Sequence, residues 1–492
     1  MAKPDFVKPQ LMAMLSVYQM LDDCYAGERA IKGTYAYGGS SGHYNGGGIG
    51  AVAYSPYLPD PSPRNEDDDV RKHRYANYLQ RAVFYNVTRR TCDGLVSAIF
   101  SKYPVLDLNE LDYLEADVDG SGQSLAQQAK DAAQNALLKG RGGLLADMPV
   151  NAQGTSKAQM ASGKIRPIIV NYAPESIINW RTERVGAVTK LSLVVLAESY
   201  IAEDDGYEQK CGEQLLVLRL VDGAAESEVL RKVDGNWLSE SVNPLTDSAG
   251  KQLDYLPFYF YGSNNNDAEI DEPPLIDLAT LNVHHFVDSA DLQESNFIAG
   301  NPTLVVTGLD QNWVDNVLTN GIAIGSRSGV MLPVGGDAKL IQANANSAVY
   351  AAMQHKERQM VAIGAKLVES TKQVKTATQA AQESTEESNV LTNIAYNVSD
   401  AFTKAVRACA RYVGVKEDGL FVTLNTQFNF SKLSPEQLDK LMALWQSGAI
   451  SFGEMRGQLV ESEYALIESV EEAAETIKQE QGALIYGGDN EV

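Results

Sequence analysis

The chain contains five histidines, and two of them, His284 and His285, are adjacent. Histidine is the commonest metal ligand in proteins, but neighbours in a helix point about 100° apart, so this pair cannot hold one ion as an i, i+4 pair could. None of the five occurs in an HExxH frame or beside a cysteine pair. The pattern gives no support to a zinc site, and we interpret these histidines as structural or interfacial.

The glycine-rich segment 38–50 has the composition of a phosphate-binding loop. A P-loop needs Gly-Lys followed by Ser or Thr at the start of a helix, so that the lysine reaches the phosphates and the hydroxyl reaches magnesium. No lysine follows here, and the Gly-Lys pairs at 163–164 and 250–251 are followed by Ile165 and Gln252. We therefore interpret 38–50 as a flexible surface loop.

Residues 66–69 form an acidic run, Glu-Asp-Asp-Asp, which suggests either a cation site or a hydrolytic enzyme with an unusual centre. Basic residues follow at 71–74, so a solvated turn is the simpler interpretation. The chain has no GxSxG motif, and its four cysteines form no CxxC pair, which fits buried thiols in a reduced compartment. We expect no enzyme activity, no metal and no cofactor, and a function carried by shape and assembly.

The composition excludes further classes of protein. Of 492 residues, 44% are hydrophobic and 21% are charged, which is enough to bury cores. Asp and Glu outnumber Lys and Arg by 64 to 41, and the net charge of −23 argues against a protein that grips duplex DNA through a broad basic surface. No apolar run reaches the roughly 18 residues of a membrane span. Residues 1–5 lack the apolar stretch of a secretory signal.

The elements of the N-terminal half are first helical and then rich in strands. Helices are predicted over 1–25, over 75–100, and between the Ser124 capping box and Gly140, while 26–74 reads mostly as loop. A short strand is predicted over 143–149. From 165 to 261 β-rich runs are separated by Asp-Gly turns, which indicates an antiparallel meander. Those runs are 168–170, 191–200, 215–221, 229–233 and 258–261.

The C-terminal half reads as mainly helical. Pro273-Pro274 predicts the start of a helix over 275–298, and a second follows over 347–367. Between them, strands at 304–306 and 330–332 flank a short helix at 313–318. A long helix is predicted over 376–413, with an apolar seam at near-heptad spacing made by Leu391, Ile394, Val398, Phe402, Ala405, Cys409 and Tyr412.

Two capped helices and an acidic tail complete the sequence. Ser434 with Pro435 predicts one helix, which Gly448 should end, and Ser451 with Glu454 predicts the next. Residues 454–492 hold ten acids and two bases, a net charge of −8, and we expect a helical, then partly disordered end.

Several stretches together carry a family resemblance. The most telling is Pro273-Pro274-Leu275-Ile276-Asp277-Leu278-Ala279 through Gly300-Asn301-Pro302-Thr303-Leu304. The others are 75–79, 82–91, 94–104, 175–181 and 438–463. In this order they resemble the portal proteins of tailed double-stranded-DNA bacteriophages, the head–tail connector family. None of them is a catalytic signature, so the specificity lies in their order along roughly 75–475.

The resemblance implies a fold and a division of the chain. The fold is α+β, with a mixed wing, paired stem helices, a small clip, a long wing helix and a helical crown. The implied regions are an N-terminal arm and wing at 1–272, a stem helix at 273–299, the clip at 300–345, a stem helix at 346–367, a tunnel loop with the long wing helix at 368–414, and the crown with its acidic tail at 415–492.

The resemblance also implies a function without a catalytic centre. Portals are ring-shaped homo-oligomers, here expected to be dodecamers, at one capsid vertex of a virion assembled in the host cytoplasm, without a membrane. Implied partners are double-stranded DNA in the channel, the large subunit of the terminase, major capsid and scaffolding proteins, and a head–tail adaptor. The open alternative is another virion structural protein, such as a minor capsid or adaptor component.

Four residues are candidates for those contacts. Lys366, Lys372 and Lys375 stand in the implied tunnel loop, where Glu369 is the only acid from 366 to 377. Our hypothesis is a sparse ring of lysines that touches DNA phosphates, with an ordinary solvated loop as the alternative. Trp313 in the implied clip is a candidate docking anchor, and equally a candidate core residue.

Overall fold

The computed structural model describes residues 3–33, 54–62, 67–148, 165–301, 303–308, 311, 315, 332, 334–342, 347–366, 390–426, 435–461, 472 and 475–476. The chain forms two compact units, Met1–Thr426 and Gln427–Val492. Helices and strands both contribute to the first unit, so the fold is mixed α+β, as predicted.

The described helices of the first unit fall before and after a central β region. They are α1 Pro9–Ala26, α2 Glu28–Ile31, α3 Asp68–Arg81, α4 Val87–Ile99, α5 Tyr113–Ala116, α6 Leu125–Lys139, α7 Ile276–Gly300, α8 Ser347–Lys366 and α9 Val390–Val413. The predicted caps of α6 are confirmed: the Ser124 side chain accepts from the Gln127 amide, and Gly140 ends the helix at φ 77°.

The described strands form four antiparallel sheets. They are β1 Val105–Asp107, β2 Arg141–Asp147, β3 Ile168–Tyr172, β4 Ile177–Val185, β5 Val188–Asp204, β6 Gln209–Val221, β7 Ala224–Val233, β8 Asn236–Pro244, β9 Phe258–Gly262, β10 Thr303–Thr307, β11 Asp337–Ile341 and β12 Phe421–Thr423. The sheet orders are β4-β5-β6-β7-β8, β3-β2-β9, β1-β12 and β10-β11.

The predicted meander is confirmed, with two additional edge strands. Asp222-Gly223 and Asp234-Gly235 join β6 to β7 and β7 to β8 with positive φ at all four residues, the geometry of tight hairpin turns. The edge strands β4 and β8 were not predicted, because much of their sequence is polar. The runs at 168–170 and 258–261 belong instead to the separate three-stranded sheet.

The three-stranded sheet and α9 share the main core. Every residue of the predicted seam on α9 is buried, from Leu391 to Tyr412. Two glycines of β2 leave room for aromatic rings of β9. A Cβ at Gly142 would lie 2.1 Å from the Tyr261 hydroxyl, and one at Gly143 would lie 2.2 Å from the Phe258 ring.

The single helix predicted over 75–100 is wrong. The structure has α3 and α4 instead, with residues 82–86 extended between them. The prediction depended on apolar residues every four positions, Leu79, Val83 and Val87, but Leu79 is buried and Val83 is 51% exposed, so this stripe does not continue through the break. The predicted N-terminal helix is α1, in which Leu11, Tyr18 and Leu21 are buried and Leu15 is 37% exposed.

The second unit contains two described helices, α10 Pro435–Gln446 and α11 Phe452–Glu461. The capping box predicted at Ser451 is confirmed. Its amide donates to the Glu454 carboxylate at 2.7 Å, and its hydroxyl accepts from the Glu454 amide at 3.2 Å. The predicted acidic end lies mostly outside the described residues.

Candidate functional site

The helix pair α7–α8, with the hairpin β10–β11 between the two helices, is the candidate site. Its parts come from sequence signals read above: prolines at 273–274 before α7, and Gly300-Asn301 at its end. Helices predicted over 275–298 and 347–367 are observed as α7 and α8. Strand β10 contains the predicted run 304–306, whereas β11 was not predicted.

A buried asparagine fixes the first half of α7 to the rest of the unit. The Asn282 Oδ1 atom accepts from the backbone amides of Val87 and Thr88, each at 3.1 Å, and from the Thr88 hydroxyl at 3.0 Å. Its Nδ2 atom donates to the Tyr85 carbonyl at 2.8 Å. Asn282 therefore caps the first turn of α4 from another helix, in addition to the local N-cap Asn86, whose side chain accepts from the Arg89 amide.

The second half of α7 is held by polar contacts from α3 and the segment after it. The Tyr78 hydroxyl donates to Asp291 at 2.6 Å, and Arg81 pairs with Glu294. The Val83 amide donates to the Ser289 hydroxyl at 3.0 Å. Since these contacts reach α7 at positions on different sides of the helix, they restrain its orientation on the unit.

Helix α8 runs antiparallel to α7 and packs on it along a narrow seam. Lys356 pairs with Asp288 at 2.5 Å, and the His285 Nε2 atom lies 3.2 Å from the Glu357 carboxylate. Before α8, the side-chain amide of Gln342 donates to the Ala299 carbonyl at 2.8 Å. His285 is buried and His284 is exposed, so the adjacent histidines point to different sides, as predicted.

Large apolar side chains are exposed on this helix pair and on the segment between its two helices. They are Phe297 and Ile298 at the end of α7, Val334, Leu340 and Ile341 in and before β11, and Tyr350 and Val361 on α8. Strand β10 pairs with β11 from Thr303–Ile341 to Thr307–Asp337, so the exposed apolar residues of β11 belong to a two-stranded antiparallel sheet. An exposed apolar surface of this kind is typical of a protein interface.

Most of the predicted site residues lie outside the part of the chain that the structure describes. Trp313, Lys372 and Lys375 lie outside the described residues, and Lys366 is described only as the last residue of α8. The glycine-rich segment 38–50 also lies outside them. In the acidic run, Asp67 is the N-cap of α3 and accepts from the amides of Asp69 and Val70. That carboxylate therefore has a local structural role.

Other features of the described residues supply no aligned catalytic groups. A polar cleft of about 420 Å³ opens between residues 247–255 and the end of α9. Most charged groups in the cleft pair with one another or with Lys190. The Arg411 guanidinium forms a bidentate ion pair with the Glu417 carboxylate. Lys190, on the rim, lies 2.9 Å from Asp254 and lowers the pKa of that carboxyl. Within the described ranges, no three His, Cys, Asp or Glu side chains lie together as metal ligands.

The described thiols are mostly buried. Burial raises the pKa of Cys24 and of Cys92 to about 12, and it raises the pKa of Cys409 as well. A thiolate is the nucleophilic form, so these three side chains are poor nucleophiles at neutral pH. Cys211, on β6, is exposed. In the part of the chain that the structure describes, no helix is long and apolar enough to cross a membrane.

Comparisons with known proteins match part of the chain to a family model and give distant structural likenesses. A family model described as a domain of unknown function, DUF4055, matches residues 274–413, which run from the start of α7 to the end of α9. A comparison with curated protein sequences gives no match.

Solved structures with a likeness come from gene transfer agent particles. A chain in the virion of the native particle is 14% identical, with a TM-score of 0.39, over 80% of this chain and 94% of that one. A chain in the neck of the native particle, computed with C12 symmetry, is 15% identical, with a TM-score of 0.40, over 76% and 89%. At such identities and TM-scores, neither likeness carries a conclusion about this chain.

Proposed function

We propose that this chain is a portal protein: a subunit of a ring that forms the DNA channel at one vertex of a tailed-phage capsid. The observation that carries the proposal is the α7–α8 pair. It is fixed to a mixed domain by polar contacts to α7, has the antiparallel strands β10 and β11 between its helices in sequence, and leaves most of α8 exposed. This order of parts agrees with the wing, stem, clip and stem that the sequence resemblance implies.

The exposed state of α8 supports assembly. Met360 is its one buried residue among those whose side chains are described, and Tyr350 and Val361 are 54% and 70% exposed. Most helical stability in proteins comes from packing of an apolar face. A helix that packs on its own chain along one narrow strip therefore becomes more stable when it also packs on further copies. A closed ring supplies such contacts to every copy.

The charge of the chain suits a channel through which DNA must move. A net charge of −23 per chain disfavours tight phosphate binding, because affinity for DNA rises with each phosphate that is neutralised. The ring of Lys366, Lys372 and Lys375 then supplies sparse contacts that guide the duplex without holding it. Energy for packaging comes from the terminase ATPase docked on the ring, and the chain itself performs no catalysis.

The same proposal assigns the remaining partners. Major capsid and scaffolding proteins surround the ring during head assembly, and the adaptor binds after packaging is complete. The region between α7 and α8 in sequence, which contains Trp313, is in this proposal the docking surface for terminase and then adaptor. After infection begins, the channel releases the genome.

The proposal is tested by the mass and shape of the purified chain. Native mass spectrometry and negative-stain microscopy should show rings with a central hole built from about twelve copies of the 53.4 kDa chain. A chain that stays monomeric at every concentration, and also during co-expression with capsid and scaffolding proteins, contradicts the proposal. Monomers or small oligomers that enter capsids without forming one ring would indicate the alternative, a minor capsid or adaptor component.

A further inference from the structure

A cluster of buried polar side chains lies where α1, α6 and β2 meet. Tyr18 on α1 is fully buried, and Arg141, the first residue of β2, is only 3% exposed. Glu175 stands in the short 3₁₀ turn Pro174–Ser176. Polar groups buried this deeply normally have hydrogen-bond partners, so the partners of these three identify what the cluster does.

The three side chains are neighbours. Lys139, the last residue of α6, pairs with Glu175 at 2.5 Å and with Asp22 of α1 at 2.9 Å. Tyr18 lies one turn before Asp22 on the same side of α1. Burial raises the pKa of Tyr18 to about 12, while the Arg141 charge lowers it and the Glu175 charge raises it. Both charges therefore act on the Tyr18 hydroxyl.

Each of the three side chains has one polar atom without a hydrogen-bond partner among the described residues. These atoms are the Tyr18 hydroxyl, Nη2 of Arg141 and Oε2 of Glu175, and all three are buried from solvent. An unpaired polar group in the interior costs free energy, because it has lost its hydrogen bonds to water. A donor and an acceptor left unpaired in the same cluster point to a bound species between them.

The Arg141 guanidinium is fixed in place and cannot turn to another partner. Its Nη1 atom donates to the carbonyls of Ala268 and Glu269, each at 3.3 Å. The guanidinium carbon lies 4.5 Å from the centre of the Trp180 ring and 4.3 Å from that of the Phe260 ring. Cation–π contacts on two rings hold the group in one plane, so the direction of Nη2 is set by the fold.

The chemistry of the three atoms selects the bound species. A guanidinium nitrogen only donates, a carboxylate oxygen only accepts, and a phenol hydroxyl can do either. An anion would pair with Arg141 but would be repelled by Glu175, and a cation would do the reverse. Water both donates and accepts, and buried waters in proteins typically make about three hydrogen bonds of this kind.

We propose that one ordered water molecule is bound between Tyr18, Arg141 and Glu175, where it accepts from the guanidinium and donates to the carboxylate. The water ties α1 to β2 and to the turn that holds Glu175. Because Arg141 also holds the carbonyls of Ala268 and Glu269, the same bridge reaches the segment that leads into α7. The inference is independent of the proposed ring, since every contact lies within one chain.

A crystal structure of the full chain, at a resolution that shows ordered water, tests the site. Density for a water should lie about 2.7–3.2 Å from Arg141 Nη2 and from Glu175 Oε2 or the Tyr18 hydroxyl. In Tyr18→Phe the water should remain on the two charged groups. A direct bond between the Tyr18 hydroxyl and either charged group, a site without density, or density with the contacts of an ion overturns the inference. The structure of the unmodified chain decides this even if a variant fails to fold.

A double-mutant cycle tests the shared water in solution. Tyr18→Phe and Glu175→Gln each remove one of its partners, so their shifts of the urea unfolding midpoint should not add. The matched control cycle combines Tyr18→Phe with Tyr113→Phe. The Tyr113 hydroxyl donates directly to the Pro167 carbonyl at 2.8 Å, so these two shifts should add. Additive shifts in both cycles, or the same deviation from additivity in both, contradict a water shared by Tyr18 and Glu175.

Discussion

Helices α8 and α9 are similar in length, 20 and 24 residues, yet they differ in what covers them. In α9, fourteen residues are buried against sheets and helices of the same chain. In α8, the described side chains include one buried residue, Met360, and the main packing partner is α7. The difference shows that α9 is a core element of its unit, whereas α8 packs mainly on α7 and is otherwise exposed.

The largest expected effect comes from emptying the α9 core. Phe402 is fully buried. Replacing it with alanine should lower the free energy of unfolding by about 3–5 kcal/mol, because the transfer energy of the ring is lost and a cavity remains. Urea denaturation of the dilute, monomeric chain, followed by circular dichroism, measures this change.

The matched control for Phe402→Ala is Val361→Ala on α8. Val361 is 70% exposed, so its truncation should change the stability of the monomer by less than about 0.5 kcal/mol. A comparable loss from both substitutions would show that the two helices do not differ in the way described.

A second large effect is expected at the base of the helix pair. Asn282→Ala removes the acceptor of the buried Thr88 amide and hydroxyl, while the Val87 amide and the Tyr85 carbonyl keep their bond to each other. Unpaired buried polar groups are costly, so the loss of stability should be about 2–3 kcal/mol. Thermal unfolding monitored by calorimetry measures it.

The control for Asn282→Ala lies on the exposed side of the same helix. Thr280→Ala removes an exposed hydroxyl that donates to the Ile276 carbonyl within α7, and it should change the stability of the chain little. Equal effects of the two substitutions would mean that Asn282 does not fix α7 to the α3–α4 region.

A smaller effect is expected between α7 and α8. Lys356 and Asp288 form an ion pair whose side chains are 25% and 20% exposed. A double-mutant cycle with Lys356→Met and Asp288→Asn should give a coupling energy of about 1 kcal/mol, because the pair is screened by partial exposure. Zero coupling in low salt would show that α8 is held on α7 by its apolar seam alone.

The elements with strong local signals were predicted well. The α6 caps and the Asp-Gly turns were each predicted from a few adjacent residues, because capping and turn geometry depend on local backbone chemistry. The α9 seam was predicted from the regular spacing of its apolar residues. Errors occurred where a local signal was missed or a distant contact contributes to the structure. The break at 82–86 has a local N-cap, Asn86, which was missed, and it is also held by Asn282, 195 residues from Val87. The edge strands β4 and β8 pair with β5 and β7.

The sequence by itself predicted helices α7 and α8, the part of the long helix that is described as α9, and the apolar stripe of α9, because helical periodicity is a local property. The predicted start of that long helix, 376–389, lies outside the described residues. It also determined the acidic balance of the chain, since charge is set by composition. Only the tertiary structure decided that α9 is covered by its own subunit and α8 is not. An apolar or alanine-rich face has the same spacing whether its partner belongs to the same chain or to another copy, so coverage is decided by packing in three dimensions.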